Sequence, residues 1–196
     1  MALYTEDFFR TLGRPKAISK TASVELAEEI AATNNVNSFD VFLSHSIKDK
    51  QVILGVKRFL ERQDLVVYVD WIVDNDLERT KVNSDTAEKL RVRMRQSKSL
   101  LYAHSNNSPG SKWMPWELGF FDGSNGHIAI LPIGKSADES FTGQEFVGLY
   151  PSLENLSAAS LFLYRGSAPE RYLAHPPNPT VTSVREFKSW LKASIG

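Results

Sequence analysis

The sequence predicts an α/β protein, a three-layer sandwich with helices on both faces of a central parallel sheet. Two observations carry this. Short runs rich in β-branched and aromatic residues alternate with longer segments whose apolar residues recur at helical spacing. The short runs are also almost wholly apolar, as strands buried on both faces are, so parallel strands joined by crossover helices fit them best. With 196 residues, 42% of them apolar and 23% charged, the chain is of a size and balance for one domain with a real core.

Taken in order, "ASVELAEEIAA" at 22–32 reads as a short amphipathic helix, broken by "TNNVNS". "FDVFLSHS", with apolar residues at 39 and 41–43, is a buried strand running into a polar loop. "DKQVILGVKRFLERQ" carries apolar residues at 52, 53, 56, 59 and 60, a helical stripe, and "LVVYVD" at 65–70 is a second buried strand. Residues 84–97 form a second crossover helix with Ser84 as candidate N-cap, and Arg91, Arg93 and Arg95 alternate along it as a solvated face. "SLLYAHS" is the third strand, "SPGS" a turn, 113–122 a helix and "HIAILPIG" the fourth strand. Pro115 suits the first turn of that helix and places its start nearby. Further on, "FTGQEFVGLYPSLENLS" shows no clear period, "LFLY" at 161–164 reads as an edge strand, and "SAPERYLAHPPNPT" is too proline-rich for a helix. "SVREFKSWLKAS" closes the chain as an amphipathic helix with Phe187, Trp190 and Leu191 on one side.

Open parallel sheets bind ligands in the crevice beyond the strand C-termini, where the strand order reverses. In a flavodoxin-like order the first and third strands are neighbours there. Here both run out into the same dipeptide, His45-Ser46 and His104-Ser105, while the second ends in Asp70-Trp71. The loop after the third strand leads to "SKWMPWEL", whose Trp113 and Glu117 stand four apart and so share one helix face, framing one small group between an indole and a carboxylate. Each of these residues also has a plainer reading. Glu117 suits the dipole of a first helical turn. One of Trp113 and Trp116 belongs to the core, and the pattern favours Trp116. His45 and His104 serve equally as pocket lining or loop residues, Asp70 as a ribose contact or a cap, and Ser44 and Ser46 as loop formers.

Composition excludes several chemistries. There are no cysteines, hence no disulfide, thiolate metal site or cysteine nucleophile. His45 and His104 lack metal-ligand spacing to any partner, and His127 and His175 read as structural or exposed, so no metal is expected. No general base accompanies Ser44 or Ser46, which argues against a serine hydrolase. Lysine plus arginine (23) balance aspartate plus glutamate (23), which gives no reason to expect nucleic acid or an anionic membrane as partner. Without a signal-like or membrane-length apolar run, the chain reads as cytoplasmic.

Three blocks together resemble the TIR (Toll/interleukin-1 receptor) domain family. "FDVFLSHSIKDK" is similar to its first box, "VVYVD" sits where its second strand precedes the BB loop, and "SKWMPWEL" resembles the S-x-W-x-x-x-E-L opening of its third helix. The likeness covers roughly residues 38–135. Two departures stand out: "WIVDNDLERTKV" lacks the family's usual proline-glycine turn, and Met114-Pro115-Trp116 replaces a cysteine-containing segment. The resemblance implies a flavodoxin-like TIR fold, and the chain reads as an N-terminal helical arm (1–36), a TIR-like domain (37–165), and a proline-rich segment with a C-terminal helix packed on that domain (166–196).

The resemblance further implies an NAD+ nucleosidase or ADP-ribosyl cyclase, with NAD+ as substrate and no cofactor. Its catalytic glutamate falls by position on Glu117, with Trp113, Ser44, His45, Ser46, Asp70, Trp71, His104 and Ser105 as substrate-binding candidates. The chemistry is coherent with those residue types. An indole suits the flat pyridinium of nicotinamide, and a carboxylate stabilises positive charge that develops on the ribose as nicotinamide departs. Backbone N–H groups of the Ser44–Ser46 loop suit the diphosphate. Family likeness also implies self-association that completes the site, low activity as a dilute monomer, and a role like that of stand-alone bacterial antiphage (Thoeris-like) proteins whose product signals to a separate effector. The alternatives are a non-catalytic TIR interaction module and a nucleoside deoxyribosyltransferase-like enzyme.

Overall fold

The computed structural model describes residues 4–14, 36–74, 82–137, 139, 145–154, 162–165 and 183–192. The expected helix at 22–32 and the proline-rich stretch at 167–180 lie outside them, as do residues 75–81 of the BB-loop segment. In chain order the elements are β1 (Tyr4–Thr5), α1 (Glu6–Leu12), β2 (Phe39–Ser44), α2 (Lys50–Glu61), β3 (Val67–Tyr68), α3 (Asp70–Val73), α4 (Ser84–Arg95) and β4 (Ser97–His104). Then come α5 (Trp113–Ser124), β5 (Ile128–Gly134), β6 (Ser152–Glu154), β7 (Phe162–Arg165), β8 (Ser183–Glu186) and α6 (Phe187–Lys192). Short 3-10 turns lie at Ile47–Asp49, Ser108–Gly110 and Glu145–Leu149.

The sheet runs β3-β2-β4-β5-β6-β7-β8, with β1 pairing with β5. Strands β2 to β6 pair in parallel, so counting from β2 the order is the flavodoxin-like 2-1-3-4-5. Strands β7 and β8 extend it antiparallel.

Side chains of successive strand residues point to opposite faces, and the apolar strands use both. Val41, Leu43, Leu101, Ala103, Ala129 and Leu131 enter one core with Val52, Ile53, Val56 and Leu60 of α2 and Phe187 of α6. Phe42, Leu100, Tyr102, Ile128 and Ile130 enter the other, against Leu90 and Met94 of α4 and Met114, Leu118 and Phe121 of α5. Each fully buried side chain of this size contributes about 1.5–3 kcal/mol. The expected three-layer α/β sandwich is therefore the observed one.

Several local expectations are corrected. The second strand pairs only over Val67–Tyr68. Asn83, not Ser84, caps α4, its Oδ1 accepting from the Thr86 N–H at 2.8 Å; an amide one residue earlier already meets the need. The alternating arginines are not a simply solvated face. Arg93 grips Asp74 with Nε and Nη2 at 2.8 and 2.9 Å, while Arg91 and Arg95 lie over the rings of Trp116 and Phe120. Tyr68 adds a third hydrogen bond to Asp74 at 2.9 Å. Burial opposes charge on Asp74, but the bonds from Arg93 and Tyr68 prevail and hold its carboxyl below its ordinary range. Strand β7 is not an edge but is paired on both sides, with β6 and β8. The closing helix begins only at Phe187, because Ser183–Glu186 is drawn into the sheet as β8.

The N-terminal residues, expected only as part of a helical arm, pack into the first core. Tyr4 and Phe9 are buried, and their rings meet Phe8 and Phe59 at centroid distances of 5.1–5.8 Å. Thr5 caps α1 by accepting from the Phe8 N–H at 3.2 Å, and Arg58 donates to the Arg14 carbonyl at 2.8 Å.

At the far end, α6 presses Trp190 edge-on against the buried His127. Burial pushes the His127 imidazole down from 6.5 to about 4. A depressed histidine leaves stability intact above the unfolded value; stability then falls as pH drops from 6.5 towards about 4, where the folded state also takes the proton. His127→Gln is expected to remove at most one proton's slope in that window, about 1.4 kcal/mol per pH unit. Urea unfolding at successive pH values reads this, and an unchanged slope would count against it.

Candidate active site at the C-terminal edge of the sheet

Strand β2 delivers Ser44 to the edge of the sheet, and the β4 connection delivers α5 beside it. Pro115 lies in the first turn of α5, where its missing N–H costs nothing. Met114, Leu118 and Phe121 turn α5 onto the second core, and that rotation carries Glu117 inside with them. Glu117 is 0% exposed, and the Ser44 hydroxyl, equally buried, donates to its Oε2 at 2.6 Å. A carboxylate in such surroundings is costly unless hydrogen-bonded, and local rules are broken this way chiefly at functional sites.

Trp113 lies one helical turn earlier. It is 5% exposed and forms one end of an open cleft of about 180 Å3. His45, Ser46, Ile47 and Lys48 line one wall, and Gly110, Ser111 and Lys112 the other. Trp113 also meets Trp116 edge-to-face at 5.4 Å. The two tryptophans therefore divide differently from expectation. Trp116 is half-buried at the surface, stacked on Phe120 at 5.9 Å under Arg91, while Trp113 is both core and cleft wall. The rotation of α5 explains this, since positions 113, 114, 117, 118 and 121 share its inner side.

His45, Asp70 and Trp71 form a second group. His45 Nδ1 lies 2.8 Å from the Leu43 carbonyl, and the Trp71 indole N–H reaches Nε2 at 3.2 Å. Both contacts are satisfied by the tautomer that carries its proton on Nδ1. Asp70 Oδ1 lies 3.4 Å from Nε2 and accepts the Trp71 backbone N–H at 2.8 Å. Lys50 stands over the Trp71 ring at 5.6 Å.

The remaining candidates are buried near the same edge. Ser46 accepts from the Lys48 N–H at 3.4 Å, and His104 stacks on Tyr102. Ser105 donates to Asp49 at 2.6 Å. The structure thus pairs Ser44 with Glu117 and His45 with Asp70 and Trp71, and places Trp113 in one cleft with His45 and Ser46. Sequence reasoning passed over Lys48, Asp49 and Lys112. Two lysines facing one cleft, in a chain of zero net charge, mark it as a place for negative charge; spacing along the chain carried no such signal. Among the described residues there is no group of three or more metal-ligating side chains, and no helix is long and apolar enough to cross a membrane.

No family model matches the chain. It is 54% identical over 114 residues to the "Probable 3' cyclic ADP-D-ribose synthase ThsB'" of Bacillus cereus (strain MSX-D12), covering 58% of this chain and 59% of that protein. It is 34% identical over 100 residues to the "Putative cyclic ADP-D-ribose synthase TIR2" of Cytobacillus dafuensis, covering 50% of this chain and 26% of that one. The chain therefore spans less than two thirds of the length of either relative. The second of these relatives bears the TIR name that the three sequence blocks suggested.

Proposed function

We propose that this chain cleaves NAD+ at the nicotinamide–ribose bond and closes the ADP-ribosyl group into a cyclic ADP-ribose isomer. The observation that carries the reading is the buried Ser44–Glu117 pair behind a cleft ended by Trp113. The names of the two relatives support it. In the reaction the bond between the ribose anomeric carbon and the pyridinium nitrogen breaks, and its electron pair leaves with neutral nicotinamide. Positive charge then grows on the ribose, where the Glu117 carboxylate stabilises it. Trp113 offers an indole face to the departing ring. A hydroxyl or base nitrogen of the same molecule attacks the anomeric carbon and releases one proton to solvent. Lys48 and Lys112 suit the diphosphate, and His45 and Ser46 the adjoining ribose. A biological role in antiphage signalling to an effector, and a cytoplasmic setting, follow from the same reading.

The cleft is smaller than the roughly 300–1,000 Å3 of most small-molecule sites, and Glu117 is closed off from solvent. Both features suit a resting state that opens or is completed by self-association. Specific activity should therefore rise with protein concentration, and a constant value across a hundredfold dilution would rule this out.

The deciding experiment incubates NAD+ with concentrated protein and weighs the products by mass spectrometry. Nicotinamide together with a product one water lighter than ADP-ribose is expected. A product of ADP-ribose mass would replace cyclisation by hydrolysis. No nicotinamide, even from artificially clustered protein, would favour the interaction module. Turnover of nucleosides lacking a diphosphate would favour the deoxyribosyltransferase-like alternative.

A further inference from the structure

Asp49 stands at the N-cap position of α2, where an aspartate ordinarily accepts from its own helix. Here it makes no such bond. Its side chain instead crosses to the connection after β4: Oδ2 accepts from the Ser105 hydroxyl at 2.6 Å and Oδ1 from the Asn107 amide at 2.5 Å. The residue is 4% exposed, so both oxygens are used in a dry setting.

Neither end of this bridge lines the cleft, but each is hydrogen-bonded to a segment that does. On one side the Asp49 N–H donates to the Ser46 carbonyl at 3.0 Å, fixing the turn that presents His45, Ser46 and Lys48. On the other, the Ser105 hydroxyl accepts from the Asn107 N–H at 3.1 Å, and the Ser105 N–H donates to Ser108 Oγ at 2.9 Å. The Ser108 carbonyl in turn accepts from the Ser111 N–H at 3.0 Å, and the Ser111 hydroxyl from the Met114 N–H at 3.3 Å in the first turn of α5. A continuous run of hydrogen bonds thus leads from Asp49 to the helix that bears Trp113 and Glu117.

We propose that Asp49 is a positioning residue that holds the two walls of the cleft in register. Its effect on turnover rests on the NAD+-cleaving reading; its effect on the walls does not. Asp49→Asn keeps the shape but cannot accept from both partners through the same two atoms. The expected result is faster backbone hydrogen exchange at residues 105–111, together with a KM for NAD+ raised about tenfold or more, the size of one lost charge-assisted hydrogen bond. Asp40→Asn, which loosens the opposite edge of the sheet where Asp40 holds Lys98 and the Val66 N–H, should leave KM unchanged. The exchanged pair Asp49→Asn with Asn107→Asp restores one donor facing one acceptor and should recover most of the loss. If Asp49→Asn does not fold, Asn107→Ala removes one arm alone and is read the same way. Unchanged exchange at 105–111 would overturn the proposal, and so would faster exchange with wild-type KM and kcat. If the wild-type protein releases no nicotinamide under any condition, the NAD+ reading fails, while the exchange measurement still decides whether Asp49 holds the walls.

Discussion

Glu117→Gln is expected to lower nicotinamide release by about a hundredfold or more while the melting temperature stays close to that of wild type. The magnitude is that of removing one preorganised group aimed at charge that develops in a transition state. The amide keeps the shape of the side chain and still offers an oxygen to the Ser44 hydroxyl, now 2.6 Å from Oε2. On the NAD+-cleaving reading, it loses the charge proposed to stabilise an oxocarbenium-like ribose. Because Glu117 is 0% exposed, exchange of a carboxylate for an amide also lowers the cost of burial, so loss of the fold is not the expected route to loss of activity. Steady-state nicotinamide release, measured beside thermal unfolding of the same samples, reads both halves. A variant retaining more than a tenth of wild-type turnover would show that the carboxylate is not the stabilising charge.

Gly55→Ala is expected to be the most damaging small substitution in the scaffold, costing about 3 kcal/mol, near the upper end for overpacking. A Cβ at Gly55 would stand 1.9 Å from the Phe9 carbonyl oxygen and 2.5 Å from its carbon. Both are backbone atoms, so no side chain can rotate away; α1 must lift from α2 as a unit. Phe9 and Tyr4, buried to within 1% of complete, would then lose their packing against Phe59. For a chain of this size the loss corresponds to a fall in Tm of about 6 °C or more. Gly119→Ala is the control. Nothing lies within 4 Å of its Cβ position on α5, so the change should be neutral or stabilising by about 0.5–1 kcal/mol through helix propensity. Equal melting temperatures for Gly55→Ala and wild type would mean that the N-terminal segment does not sit against α2 in solution.

Sequence and structure agree best where the signal is periodic and local. The strands Phe39–Ser44, Ser97–His104 and Ile128–Gly134 and the helices Lys50–Glu61 and Trp113–Ser124 lie within a few residues of their predicted bounds. Their apolar runs can be buried in one way only, between two layers of helices. Agreement fails where a neighbour competes for the backbone. Ser183–Glu186 has enough helical context to be read as the start of α6, but β7 offers it a ladder, and pairing wins. Asn83 displaces Ser84 as a cap for a smaller reason, a one-residue choice between two good acceptors.

At the candidate site the sequence by itself determined which polar residues gather beyond the strand ends. Alternating strands and helices oblige the polar strand ends to collect on one edge, and the four-residue spacing of Trp113 and Glu117 obliges them to share a side of α5. Only the tertiary structure decided which tryptophan faces inward, because the rotation of α5 is set by what it packs against rather than by its own pattern. It also decided the partners. Ser44 meets Glu117 across 73 residues of chain, and Asp49 turns from its own helix to Ser105 and Asn107 more than 50 residues away. Local periodicity specifies which side of an element is buried; it holds no record of what another segment will present there, and that is where the two walls of the cleft are joined.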